Sequence, residues 1–242
     1  MPPPSGKPGQ ASFRDFPGTA GFADPAGKVR LGVTARRAGS MKDPYLRDAA
    51  LSKAGLSGRP AFYLKQIHGA EVIRVTEAEV RQPSPEADGW ITNLHGPVLC
   101  VFTADCLPIY IWDRAGRAAG VFHAGWRGLA KGMPRAAVKA FDAHFGLKPQ
   151  DLAAQVGPHI GKCCYRVGPE TAEQFRAEVR IERDGGTYLD LGKEAVLQLI
   201  ESGIRLTTPA TECTSCRNED YFSFRREKSD GRMMAFITLD PK

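Results

Sequence analysis

LCVFTADCLPIYIWDRAGRAAGVFHAGWRG, residues 99–128, decides the fold. Three apolar runs rich in β-branched and aromatic residues lie within it: 99–103, 109–112 and 118–122. Between the second and third, Asp113-Arg-Ala-Gly-Arg117 is short, polar and glycine-bearing, the composition of a hairpin turn. The outer runs end in residues that a buried strand has no use for. The first delivers Ala104-Asp105-Cys106 before Pro108, and the third delivers His123-Ala-Gly-Trp-Arg-Gly128. A strand that leaves the core to present a thiol or an imidazole mounts a reactive group on a rigid base. The stretch therefore reads as sheet core and active-site core together.

Working outward, residues 1–10 (MPPPSGKPGQ) read as a disordered N-terminal arm and 11–242 as one domain. A strand opens at Val29, with residues 36–40 as the loop after it. Asp43-Pro44 caps a helix running to Ala54, with Gly55 as its stop. Residues 61–69 read as a strand finishing on His68, residues 71–76 as another, 81–87 as a polar loop, and 88–93 as an entry into the central sheet. One helix is expected from Leu129 to His144, with Pro134 limiting its first turn. A strand at 152–156 leads into Gly157-Pro-His-Ile-Gly161, and a helix is expected over 169–178. Residues 187–191 read as a short strand, 192–203 as a helix stopped by Gly203, and 233–239 as the closing strand. No repeat or linker divides the chain. The class is α/β: a single domain with mixed β-sheets flanked by helices.

The 242 residues, 42% hydrophobic and 25% charged, suffice for one sizeable core. No apolar run approaches membrane-spanning length, and the N-terminus lacks a secretory pattern, so a cytoplasmic protein without a membrane partner is expected. The net charge of +6 is dispersed rather than gathered into a basic block interleaved with aromatics. That argues against nucleic acid and suits a small anionic ligand or a solvated surface. Six cysteines in a cytoplasmic enzyme point to burial, metal binding or catalysis before disulfides.

His68, Cys106 and His123 each end a strand-like run in a glycine- or proline-flanked turn. Two imidazoles and a thiolate suit zinc, and three protein ligands leave a fourth position open for water or substrate. Cys106 activated as a nucleophile by His123, without metal, is the other functional reading; packing is the plain one. Cys213-Thr-Ser-Cys216 lacks a second pair at similar spacing, and neighbouring Cys163-Cys164 is a poor source of two ligands for one tetrahedron. This pair is therefore read as packing. Arg127, between Trp126 and Gly128, is the first candidate for holding an anion; Arg36, Arg225, Arg226 and Arg232 are further ones. Phe222 and Phe224 could stack on a base or simply pack.

Together these segments are recognisable. Lys65-Gln-Ile-His-Gly69, Ala87-Asp-Gly89, Thr103-Ala-Asp-Cys-Leu-Pro108 and His123-Ala-Gly-Trp-Arg-Gly128 resemble the YfiH-like family, also called the laccase-domain or polyphenol-oxidase family. Gly157-Pro-His-Ile-Gly161, Tyr165 with Val167-Gly168, Cys213-Thr214, and Tyr221-Phe-Ser-Phe-Arg-Arg226 with Gly231-Arg-Met233 continue the likeness in order. The resemblance implies a fold similar to that of cytotoxic necrotising factor, and a zinc site made by His68, Cys106 and His123. It implies a purine nucleoside phosphorylase acting on adenosine, inosine and methylthioadenosine, with adenosine deaminase as a second activity. The partners are then a nucleoside and phosphate, with the protein a monomer or homodimer.

Under this reading Cys106, His123 and His68 are catalytic and Asp105 is the candidate for moving protons, while Arg36, Arg127, Arg225 and Arg226 bind substrate. Two further readings stand beside it. One is a copper polyphenol oxidase, for which five histidines are few. The other is a thiol or zinc hydrolase editing peptidoglycan precursors. The chain departs from the family pattern where Arg37-Ala-Gly-Ser-Met41 runs almost directly into the helix at Pro44, and where Asp230 replaces the usual threonine.

Overall fold

The computed structural model describes residues 13–16, 19–23, 27–76, 83–208 and 212–240. The arm expected over residues 1–10 lies outside the described residues. The chain begins with β1 (Phe13–Phe16), β2 (Thr19–Ala23), β3 (Val29–Thr34) and α1 (Pro44–Lys53). There follow β4 (Ala61–Phe62), β5 (Val72–Val75), β6 (Gly89–Thr92), β7 (Val98–Thr103), β8 (Leu107–Asp113) and β9 (Ala119–Ala124). Helices α2 (Trp126–Ala130) and α3 (Met133–Phe145) precede β10 (Leu152–Val156) and β11 (Arg166–Val167). The remainder is α4 (Pro169–Ala172), β12 (Arg180–Arg183), β13 (Gly186–Leu189), α5 (Leu191–Glu201), β14 (Leu206–Thr208), α6 (Phe224–Glu227) and β15 (Met233–Leu239).

Two six-stranded mixed sheets result, ordered β1-β2-β3-β15-β7-β4 and β14-β10-β8-β9-β6-β5; β11-β13-β12 form a small third one. Strands buried on both faces explain the near-continuous apolar runs of the sequence. Along β15, Met233, Ala235, Ile237 and Leu239 share a core with Tyr110, Trp112 and Val121 of the other sheet. Met234 and Phe236 point the opposite way, against Ala50 and Leu51 of α1. Along β8, Leu107, Ile109 and Ile111 leave the sheet–sheet core to pack with Phe141 of α3 and Leu199 of α5. The layers are thus helix, sheet, sheet, helices. Each large side chain so buried contributes about 1.5–3 kcal/mol. Tyr110 pins the sheets together, its hydroxyl donating to the Gly32 carbonyl at 2.8 Å.

Most elements form where the sequence places them, and β15 does so to the residue. The single helix expected over 129–144 is two, because Gly132 turns the chain at φ 79° and Pro134 starts a fresh helix rather than constraining an old one. The helix expected over 169–178 shrinks to α4 and a 3₁₀ turn at Ala177–Val179. There the Arg180 guanidinium takes the Phe175 carbonyl at 2.8 Å, a group a continuing helix would have used. Among the described residues no helix is long and apolar enough to cross a membrane.

Candidate metal centre and its cleft

β7 and β8 belong to different sheets, and Ala104-Asp105-Cys106 is the corner between them. Asp105 adopts φ 90°, a backbone region that side chains rarely occupy. Its carboxylate secures the corner: Thr214 Oγ1 donates to one oxygen at 2.7 Å and the Arg225 backbone N–H to the other at 2.6 Å. Cys106 is thereby set beside the end of β9, where His123 pairs in register with Pro108.

His68 comes from a loop, not from the strand end expected for it. Only Ala61 and Phe62 pair with β7. Beyond them Asp88, just before β6, gathers the backbone N–H groups of Ile67 at 3.2 Å, His68 at 3.1 Å and Gly69 at 2.6 Å. Donors committed to one carboxylate cannot form a ladder, so the chain curls, with His68 at φ 56°. The same carboxylate lies 2.8 Å from His123 Nδ1, which orients the imidazole and leaves Nε2 for the site. The donor atoms of His68, Cys106 and His123 all lie within 4.8 Å of one another. Their rings and thiol leave little room at Gly125, where a Cβ would stand 3.0 Å from Cys106 Sγ and 3.3 Å from His68 Cδ2.

Burial disfavours a Cys106 thiolate, but His123 and His68 outweigh it and bring the thiol down to about 6. Burial likewise opposes charge on His123, yet Cys106 and Asp88 raise it to about 9. Without a cation the pair is therefore a thiolate and an imidazolium. The donor set fits zinc: two imidazoles and one thiolate on three elements, a carboxylate behind one imidazole, and His68 exposed on the open side. His123 is buried, Cys106 half-buried and His68 exposed, so the fourth position faces a cleft.

That cleft, of about 480 Å³, has the size of a small-molecule site. Besides the triad its lining includes Lys42, Arg47, Gln66, Phe102, Phe224 and Arg232, with no carboxylate among the described residues. Arg47 lies over the stacked rings of Phe102 and Tyr63 at 4.8 and 4.9 Å and is tied to the Met41 carbonyl at 2.6 Å. Gln66 clasps the Phe102 backbone, donating to its carbonyl at 2.8 Å and accepting its N–H at 2.7 Å. Lys42 meets Asp230 at 3.0 Å, so the residue replacing the family threonine partners a cation at the cleft mouth.

The arginines named from sequence scatter. Arg36 bonds Glu227 and the Asn218 carbonyl, and Arg226 bonds the Ser215 carbonyl; neither lines the cleft. Arg127 is exposed over Trp126 at 4.4 Å. Arg225 lies over Tyr165 at 4.9 Å and bonds the Arg166 carbonyl at 2.6 Å. Burial and then Cys106 push Tyr165 up to about 12, against the two arginines Arg225 and Arg127. Asp105, the expected proton carrier, has both oxygens engaged and does not line the cleft; its geometry is that of a positioning residue. Sequence reasoning missed Asp88 as the support of His123, although Ala87-Asp-Gly89 marked the place. It also missed Lys42, Arg47 and Gln66. Phe224 reaches the cleft, whereas Phe222 packs against the core.

The cysteine pair read as packing is not isolated. Cys163, Cys164, Cys213 and Cys216 bring their four sulfurs within 4.8 Å of one another. Neighbouring cysteines diverge on a strand, but Cys163-Cys164 sits on a turn whose Cys164 and Tyr165 N–H groups both donate to the Gly161 carbonyl. Consecutive side chains there point apart by only about a third of a circle.

A triad that could hold a metal, at a sheet corner and opening on a cationic cleft in a mixed α/β domain, has the form of a small-molecule site. The chain belongs to the family described as multi-copper polyphenol oxidoreductase laccase, whose sequence model matches residues 42–240. It is 35% identical over 199 residues to purine nucleoside phosphorylase YfiH of Shigella flexneri, covering 80% of this chain and 79% of that protein. It is 37% identical over 184 residues to purine nucleoside phosphorylase of Aquifex aeolicus, covering 76% and 85%. The crystal structure of YlmD from Geobacillus stearothermophilus superposes with a TM-score of 0.86 at 27% identity, over 96% of this chain and 100% of that one.

Proposed function

We propose that this chain is a zinc-dependent purine nucleoside phosphorylase of the cytoplasm. It converts adenosine, inosine and methylthioadenosine to free base and ribose 1-phosphate or methylthioribose 1-phosphate, with adenosine deaminase as a side activity. The observation that carries the reading is the cleft lining, where His68, Cys106 and His123 share one cleft with the cations Lys42, Arg47 and Arg232, and Asp230 offsets part of that charge at the mouth. Such a lining favours an anion and suits phosphate. The names of the relatives agree with it.

In phosphorolysis an oxygen of hydrogen phosphate bonds to C1′ of the sugar as the bond from C1′ to the purine nitrogen breaks; that bond's electron pair leaves with the base, which takes up the proton the phosphate gives up. Lys42, Arg47 and Arg232 hold the phosphate and offset its charge, while Phe102 and Phe224 offer faces to the base. Arg47 is held by the Met41 carbonyl and its two rings, so little reorganisation is needed on binding. His68, Cys106 and His123 would hold a zinc ion, which when bound would supply Lewis-acid stabilisation of negative charge.

The test is metal analysis with a nucleoside panel, with and without phosphate, on the wild type and Cys106→Ala. Ribose 1-phosphate is expected only with phosphate, and not from the variant. Base release that ignores phosphate, or that survives in the variant, overturns the reading.

One observation favours a second reading. Asp88, His123 and Cys106 form a carboxylate–imidazole–thiol chain, the arrangement of a thiol hydrolase. Such an enzyme keeps its activity when the metal is stripped; the phosphorylase loses it. The copper reading finds less support: outside the triad, His95 bonds the Asp240 carbonyl, His159 bonds the Gly157 carbonyl and His144 lies on α3.

A further inference from the structure

Four cysteines distinct from the triad converge from two loops some fifty residues apart in sequence. Cys163 Sγ and Cys164 Sγ stand 3.4 and 3.5 Å from Cys216 Sγ, and all four sulfurs lie within 4.8 Å of one another. A disulfide would need about 2.05 Å. The edges of a sulfur tetrahedron around one zinc ion are about 3.8 Å, from a Zn–S bond of about 2.3 Å. The observed separations, 3.4 and 3.5 Å with the others no more than 4.8 Å, bracket that edge, and they are too short to enclose a cluster of several metal ions.

The surroundings fit the same conclusion. The Gly161 backbone N–H donates to Cys213 Sγ at 3.2 Å, as to a sulfur that carries charge. A Cβ at Gly161 would stand 3.2 Å from Cys213 Cβ and 3.3 Å from Cys163 Sγ, so the backbone there has closed onto the sulfurs. Cys213-Thr-Ser-Cys216 supplies a two-residue spacing on a turn closed by Arg217 N–H on the Cys213 carbonyl at 3.0 Å. His159 and Thr214 join the same loops, with Thr214 N–H donating to the His159 carbonyl at 3.0 Å.

We propose that Cys163, Cys164, Cys213 and Cys216 form a second, structural metal site that takes one zinc ion in an all-thiolate tetrahedron. Four protein ligands close the coordination sphere, so the site binds without catalysing. Its place gives it a task. Thr214, between two of the ligands, holds the Asp105 carboxylate at the corner that presents Cys106. Tyr165, directly after Cys164, lies under the Arg225 guanidinium, and the Arg225 backbone N–H holds the other Asp105 oxygen. The second ion staples the loops that set the first site.

The experiment measures zinc content by mass spectrometry of the metal in the protein purified without chelators. About two zinc ions per chain are expected for the wild type, about one for Cys106→Ala, and about one for the double variant Cys163→Ser/Cys216→Ser. Because the double variant can fail to fold, Cys106→Ala is also exchanged into Co²⁺. Retained sulfur-to-cobalt charge-transfer absorption with tetrahedral ligand-field bands supports the site. Differential alkylation of the wild type should protect these four cysteines until a strong chelator is added. Chelation should also lower the Tm of Cys106→Ala, which retains only this site, by about 10 °C or more. A wild type with no more than about one zinc, lost entirely in Cys106→Ala, overturns the proposal. So does a disulfide between Cys163 or Cys164 and Cys216 in protein that lacks the second metal.

Discussion

Asp88 does not line the cleft, yet two of the three candidate metal ligands depend on it. It fixes the tautomer of His123 and folds the backbone that carries His68. An amide in its place would aim an NH₂ at backbone N–H groups or at the imidazole. Asp88→Asn is expected to weaken zinc binding by about 10–100-fold, measured by chelator competition. Gly125 is constrained by space rather than by φ, which is −79°. Gly125→Ala should therefore lower zinc affinity while leaving the Tm of the metal-free protein nearly unchanged. Protons give a third check. With Cys106 near 6 and His123 near 9, zinc entering the metal-free site at about pH 7.5 displaces the His123 proton. Calorimetry in buffers of different ionisation enthalpy should detect that release, and it should fade as the pH rises through about 9.

Helix α1 shows how a surface element comes to shape a site. Asp43 caps it, accepting the Tyr45 N–H at 2.9 Å, and Pro44 occupies its first turn. Asp43→Ala should cost about 1 kcal/mol in denaturant unfolding. The cap fixes where the helix begins, and with it Lys42 and Arg47 at the cleft. Arg47→Ala is expected to raise the KM for phosphate about 10-fold with a smaller change in kcat, in steady-state assays. The cap and the helix were legible in sequence because both are local, as was β15 with its seven buried residues. The role of Arg47 was not legible, since its stacking rings, Tyr63 and Phe102, lie on other segments. The curl at His68 was hidden for the same reason: its cause, Asp88, lies 20 residues further along the chain. Vicinal Cys163 and Cys164 misled in the opposite way, because only the turn that carries them lets both point to one place.

At the end of β8 the sheet pair buries the Asp113 carboxylate, whose charge is matched by backbone N–H groups and by the exposed Arg117. Burial would raise Asp113, but Arg117 and backbone N–H groups outweigh it and hold the carboxyl below its usual range. A depressed folded-state value stabilises the protein above the unfolded value, about 3.9, and that contribution is lost as pH falls through the folded value. Tm measured on descending pH should fall on that limb, and Asp113→Asn should flatten it while lowering Tm at neutral pH. The α/β class with mixed β-sheets was legible from the apolar strand runs, whereas the number of sheets and the meeting of His68, Cys106 and His123 required the corner between two of them. Finally, β15 lies between β3 and β7, in the middle of its sheet, although it is the last of the described strands in the chain. A nascent chain must keep two sticky strand edges apart until translation has delivered 233–239. Ribosome-stalled chains ending before Met233 should thus remain protease-sensitive and chaperone-bound, and those exposing Leu239 beyond the exit tunnel should snap into resistance.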